Sequence, residues 1–100
     1  MLSVADIKTA VEPIVIETKV RKLVLFGSYA KGTATENSDI DLYMVSDGEI
    51  TGLAFFDLKS KIEDVFAIGI DLLPDLDVLP ESPVARKINE SGVVIYERKE

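Results

Sequence analysis

The chemistry of this sequence is concentrated in three aspartates set among apolar residues. Asp39 and Asp41 flank Ile40, and Asp39, Asp41 and Tyr43 alternate with Ile40, Leu42 and Met44, the period-two pattern of a half-buried strand. Residues two apart on a strand project from one face, roughly 6–7 Å apart at Cα. Carboxylates so placed repel and raise each other's pKa unless a cation lies between them. The pair therefore predicts a divalent ion, and magnesium suits one or two carboxylates combined with phosphate oxygens. Asp71 repeats the arrangement. Ile68, Ile70 and Leu72 share one face of a predicted strand, while Asp71 shares the other with Gly69, whose missing side chain leaves room beside it. If the two strands pair with apolar faces inward, all three carboxylates lie on one surface, as a site for two metals ~3.5–4 Å apart requires. Asp75 and Asp77 fall outside the alternation and read as loop residues, so Asp71 is the preferred third acid.

Upstream, Gly27-Ser28 ends a short β-rich run, and ten residues separate it from Asp39. A glycine after a strand allows close approach, and a short helical start there aims backbone N–H groups at a phosphate. Lys31 adds a positive charge and Gly32 lets the chain leave the turn. A phosphate loop beside metal-binding acids is what phosphoryl or nucleotidyl transfer needs, because catalysis there is mainly positioning and charge neutralisation. Two other motif readings fail. Gly27 and Gly32 have the spacing of a P-loop, but Thr33 stands where its lysine belongs. Asp39-x-Asp41 begins like a calcium loop, but Tyr43 and Met44 occupy positions for a ligand and a glycine. Tyr29 is left open between a packing residue and a neighbour of the nucleobase.

Positioning these residues needs alternating helices and strands. Val4, Ile7, Val11 and Ile14 recur at helical spacing behind a Ser3 cap, with a kink expected at Pro13. Lys22–Phe26 is a strand, and 27–38 a loop with one helical turn. Ser46 to Gly52 is a polar connection. Phe55, Leu58, Ile62 and Val65 mark a second amphipathic helix supported by a Lys59–Glu63 pair, with Phe55 and Phe56 assigned to the core. Ala67 to Leu73 is a third strand. Ser82-Pro83 starts and Gly92 stops a helix over 83–90, and Val93 to Tyr96 is the last strand. The expectation is an α/β (α+β) fold, a mixed sheet of about four strands flanked by helices, with residues 1–100 forming one domain.

Composition narrows the function classes. The 100 residues include no cysteine and no histidine, which excludes disulfides, thiolate sites and His-based acid–base catalysis, and leaves carboxylates as the metal ligands. The net charge of −7 argues against direct nucleic-acid binding as the main activity and favours a basic partner. No apolar run reaches the ~20 residues of a membrane span, and the start lacks a signal-peptide layout. A cytoplasmic protein is the expectation.

Gly27-Ser28 followed by Asp39-x-Asp41 resembles the signature of the DNA polymerase β-like nucleotidyltransferase superfamily. GSYAKGTATENSDIDL, with the helix before it and IDLL after it, is most similar to the minimal nucleotidyltransferase branch, which includes antitoxin partners of HEPN-domain toxins. The likeness runs from the first helix to the final strand. The resemblance implies that Asp39 and Asp41 bind two magnesium ions, with Asp71 as the third acid assisting the attacking hydroxyl. It implies that Gly27 and Ser28 grip the triphosphate, with Lys31 and Ser38 as further nucleotide-binding residues. Relatives often carry arginine in this loop, where Tyr29 and Lys31 stand here. The implied reaction is magnesium-dependent transfer of AMP from ATP to a hydroxyl, on a cognate HEPN toxin, within a homo- or hetero-oligomer whose partner chain completes the site. Two alternatives are a binding module that neutralises a toxin by occlusion, and the catalytic half of a split enzyme modifying an antibiotic or other small molecule.

Overall fold

The computed structural model describes residues 2–99. Helix α1 spans Val4–Val15, and Ser3 opens it with a capping box. The Asp6 N–H donates to Ser3 Oγ (3.1 Å) and the Ser3 N–H to Asp6 Oδ2 (2.9 Å), which satisfies two N–H groups the helix itself leaves free. Pro13 lies inside the last turn, and the helix closes at Val15. Strand β1 (Lys22–Phe26) runs directly into the five-residue helix α2 (Gly27–Lys31), which Gly32 ends in a left-handed conformation. Strand β2 (Ile40–Val45), helix α3 (Gly52–Phe66), strand β3 (Ile70–Pro74), a 3-10 turn (Asp75–Asp77), helix α4 (Pro83–Ser91) and strand β4 (Val93–Glu97) follow.

The four strands form one mixed sheet in the order β3-β2-β1-β4. β1 is antiparallel to both β2 and β4, and β2 is parallel to β3. Alternation decides the faces. Leu23, Leu25, Ile40, Leu42, Met44, Ile70 and Leu72 are buried and pack with Ile7, Val11 and Val15 of α1 and Leu58 and Ile62 of α3. The opposite face carries Phe26, paired in register with Asp41, which is itself paired with Asp71. Helix α4 packs on β1 and α2, and its C-terminal Gly92 lies against Val24 of this second face, whereas α2 turns Tyr29 into the first-face core.

Several expectations need correction. Residues Ala67 to Gly69 precede β3 instead of forming its start, because α3 continues to Phe66 and Ala67 terminates it at φ 53°. Phe56 and Val65 face solvent (63% and 52% exposed), while Phe55 packs partly against the core. Phe56 meets Phe55 edge-on, at a ring separation of 5.5 Å. The helix-supporting pair seen on α3 is Asp57–Lys61 (3.1 Å), one turn apart as i,i+4 pairing requires. Helix α4 and strand β4 each run one residue further than the pattern suggested. No helix among the described residues is long and apolar enough to cross a membrane.

Candidate nucleotide and metal site

The carboxylates are brought together by strand pairing. Asp41 and Asp71 are register partners on the parallel strands β2 and β3, so they sit side by side on adjacent strands ~4.8 Å apart. Ile40 and Leu42 point the other way into the core, so the alternation that buries those residues also fixes the outward direction of Asp41. Asp39 immediately precedes β2. Its carboxylate lies over Gly69, where an added Cβ would stand 3.0 Å from Asp39 Cγ. The space left by Gly69 is therefore used by Asp39.

The electrostatics follow from this crowding. Partial burial, then the neighbouring charges of Asp71 and Asp39, push the Asp41 carboxyl above the ordinary range, while Lys87 opposes the rise. Burial is the larger cause, and the like-charge repulsion that adds to it is what a cation would relieve. Among the described residues no three carboxylates converge closely enough to hold an ion unaided. The donor set of hard oxygens with uncompensated charge nonetheless suits a magnesium ion that takes its remaining ligands from phosphate and water.

Against the carboxylates stands the turn. Gly27 has φ 74°, and a Cβ there would crowd the Asp41 carboxylate, with Cγ only 3.2 Å away. Glycine is required twice, for the left-handed backbone and for the close approach of Asp41. The Gly27 N–H donates to Ser91 Oγ (3.4 Å), whose hydroxyl donates to the Lys87 carbonyl (2.9 Å). The N-cap residue Phe26 supplies no side-chain acceptor, so apart from the Gly27 N–H held by Ser91 the first turn of α2 has N–H groups without helical partners.

These parts line one cleft of about 350 Å³. Its strand side contains Phe26, Asp41, Asp71 and Leu73, and its α2 side Gly27, Ser28, Lys31 and Thr33. Five of the site residues read from sequence thus meet: Gly27, Ser28, Lys31, Asp41 and Asp71. Asp39 does not line the cleft but is close enough to act on Asp41. Ser38 lies apart, its Oγ accepting from the Thr35 N–H (2.9 Å) in the connecting loop. Tyr29 is buried among the core residues, 6% exposed, which settles it as a packing residue. Asp75 and Asp77 line a different cavity, between the end of β3 and the start of α3.

The third side of the cleft is α4, through Val84, Lys87 and Ser91, and sequence reasoning missed it. The one available signal was spacing: positions 84, 87 and 91 fall on one helical face. Nothing in the sequence said that this face meets a turn some sixty residues earlier.

Residues 9–100 match the family model described as polymerase beta nucleotidyltransferase. A candidate protein adenylyltransferase of Methanocaldococcus jannaschii is 32% identical over 82 residues, covering 78% of this chain and 80% of the relative. Two solved structures share the fold. One, a toxin–antitoxin complex with AMP-PNP, superposes with a TM-score of 0.75 at 22% identity, over 92% of this chain and 74% of the other. The second, an AMPylated Shewanella oneidensis HEPN toxin in complex with its MNT antitoxin, gives 0.69 at 17% identity, over 95% and 73%. With the family model matched over most of its length and a relative 32% identical, the chain is a nucleotidyltransferase of the polymerase beta family.

Proposed function

We propose that this chain transfers AMP from ATP to a hydroxyl on a partner protein, with magnesium held at Asp41, Asp71 and Asp39. The observation that carries this reading is the single cleft in which the Gly27-Ser28 turn faces the in-register pair Asp41 and Asp71. An adenylyl donor is favoured because the M. jannaschii relative is named as a protein adenylyltransferase. A protein acceptor of the HEPN toxin kind is favoured because structures with this fold include a toxin–antitoxin complex with AMP-PNP and an AMPylated HEPN toxin with its antitoxin. The chain would then act as the antitoxin of the pair.

Each group has a definite task. The first turn of α2 and Lys31 bind phosphate oxygens, fixing the triphosphate against the strands. Asp41 and Asp71, with Asp39 beside them, would hold magnesium, which would lower the cost of charge developing at the α-phosphate. Asp71, the more exposed of the in-register pair, is open to an incoming acceptor and takes the proton from its hydroxyl. The acceptor oxygen then bonds to the α-phosphorus, the bond to the β-phosphate oxygen breaks, and pyrophosphate leaves. The cleft is small and offers no evident acceptor pocket, so the partner supplies the surface around the attacking hydroxyl.

The test is transfer of label from α-labelled ATP to a co-purified partner protein, with magnesium present or chelated. Label on the partner from wild type, and none from Asp39→Asn/Asp41→Asn, supports the proposal. Neutralisation of the partner without any labelling, unchanged in the double variant, would establish occlusion instead.

A further inference from the structure

We propose that Lys87 of α4 is a ligand for the β- and γ-phosphates of the donor and for the pyrophosphate product. The inference rests on the nucleotidyltransferase reading and extends it to a helix outside the motif.

Three observations carry it. Lys87 lines the cleft that contains Gly27, Ser28, Lys31, Asp41 and Asp71. Neither Lys31 nor Lys87 forms an ion pair with a described residue; Lys87 acts on the Asp41 carboxyl at longer range, as the smallest of the influences on it, so both ammonium groups can still take an anion as ligand. Ser91, one turn beyond Lys87 on the same helical face, holds the Gly27 N–H, so α4 is registered directly on the turn that begins α2. A lysine on that face is thereby set at a fixed height relative to the turn.

The charges divide the cleft. Its strand side is anionic, from Asp41 and Asp71, and its helical sides are cationic, from Lys31 and Lys87. A triphosphate entering such a field lies with its terminal phosphates toward the lysines and its reacting α-phosphate toward the carboxylates and their metal. That orientation points the bond to be broken at the positive wall, where the leaving pyrophosphate gathers charge. A lysine serves here as a compact point charge on a flexible stem. The alternative, a solvated surface lysine with no ligand, predicts that removing its charge changes the binding of neither ATP nor AMP.

The experiment is titration calorimetry of the full chain with ATP, AMP and pyrophosphate in the presence of magnesium. Wild type, Lys87→Met, Lys87→Arg and Arg86→Met are compared, Arg86 being an exposed α4 neighbour that does not line the cleft. We expect Lys87→Met to weaken ATP and pyrophosphate about tenfold while AMP is unchanged. Lys87→Arg should restore most of that loss, and Arg86→Met should behave as wild type. Equal affinity of Lys87→Met and wild type for ATP, or a loss shared equally by AMP, would overturn the assignment of Lys87 alone. A wild-type chain that binds neither ATP nor pyrophosphate would overturn the proposed nucleotide site beneath it.

Discussion

Three glycine-to-alanine substitutions separate two effects that coincide at Gly27. Gly27 and Gly32 both adopt positive φ, 74° and 76°, so alanine at either site takes on left-handed strain of roughly 1–2 kcal/mol. At Gly32 an added Cβ meets nothing within 4 Å, whereas at Gly27 it drives into the Asp41 carboxylate. Gly69 is the complement, because no positive φ applies there and the nearest atoms an added Cβ meets are those of the Asp39 carboxylate. Gly32→Ala should therefore lose about 1–2 kcal/mol, a fall of ~4–15 °C in melting temperature for a domain of this size, with magnesium-dependent ATP binding retained. Gly27→Ala should lose at least as much stability and also displace Asp41, weakening ATP binding ~10-fold or more, since a misplacement near 1 Å costs up to ~100-fold in function. Gly69→Ala should lie between, with smaller loss of stability but altered metal dependence. Thermal unfolding and calorimetric titration read both quantities. If Gly27→Ala bound magnesium and ATP as well as Gly32→Ala does, the packing of Asp41 on the turn would not be what positions the site, and the reasoning would fail.

Further predictions concern the same elements. The Asp41 carboxyl is held above its ordinary range, so without metal its contribution to stability is present at low pH and is lost as pH rises through the folded value. Asp41→Asn should consequently raise the metal-free melting temperature at neutral pH by ~2–4 °C, the effect being modest because the group is partly solvated; a lower value would contradict the cost assigned to burying this charge beside Asp71 and Asp39. Ser91→Ala removes the acceptor of the Gly27 N–H and should weaken ATP binding severalfold with little change in overall stability, measured by the same titration. Leu42 is fully buried beneath the carboxylate strand, so Leu42→Ala should cost ~2–5 kcal/mol, visible as a large drop in urea midpoint.

Much of this was legible in the chain because one alternation set both core and site. Ile40, Leu42 and Met44 had to face inward, so Asp41 had to face out, and the same logic at Ile70 and Leu72 selected Asp71 over Asp75 and Asp77. The structure pairs the two acids in register. Local rules failed where long-range packing decided. The run from Ala67 to Leu73 reads as strand, yet Ala67 takes the left-handed cap that ends α3, a conformation alanine adopts only when its surroundings impose it. Lys87 and Ser91 carry no motif, and their place in the cleft depends on α4 folding back over β1. Ser38, adjacent in sequence to Asp39, instead serves the loop that precedes it.

The central claim is that the strand carboxylates hold magnesium against a nucleoside triphosphate. Calorimetric titration of ATP into the wild-type chain and into Asp39→Asn/Asp41→Asn, with magnesium present and then chelated, tests it directly. The account predicts binding that needs magnesium in wild type and disappears in the double variant while the fold persists. Binding that ignores magnesium, or survives loss of both carboxylates, would contradict it.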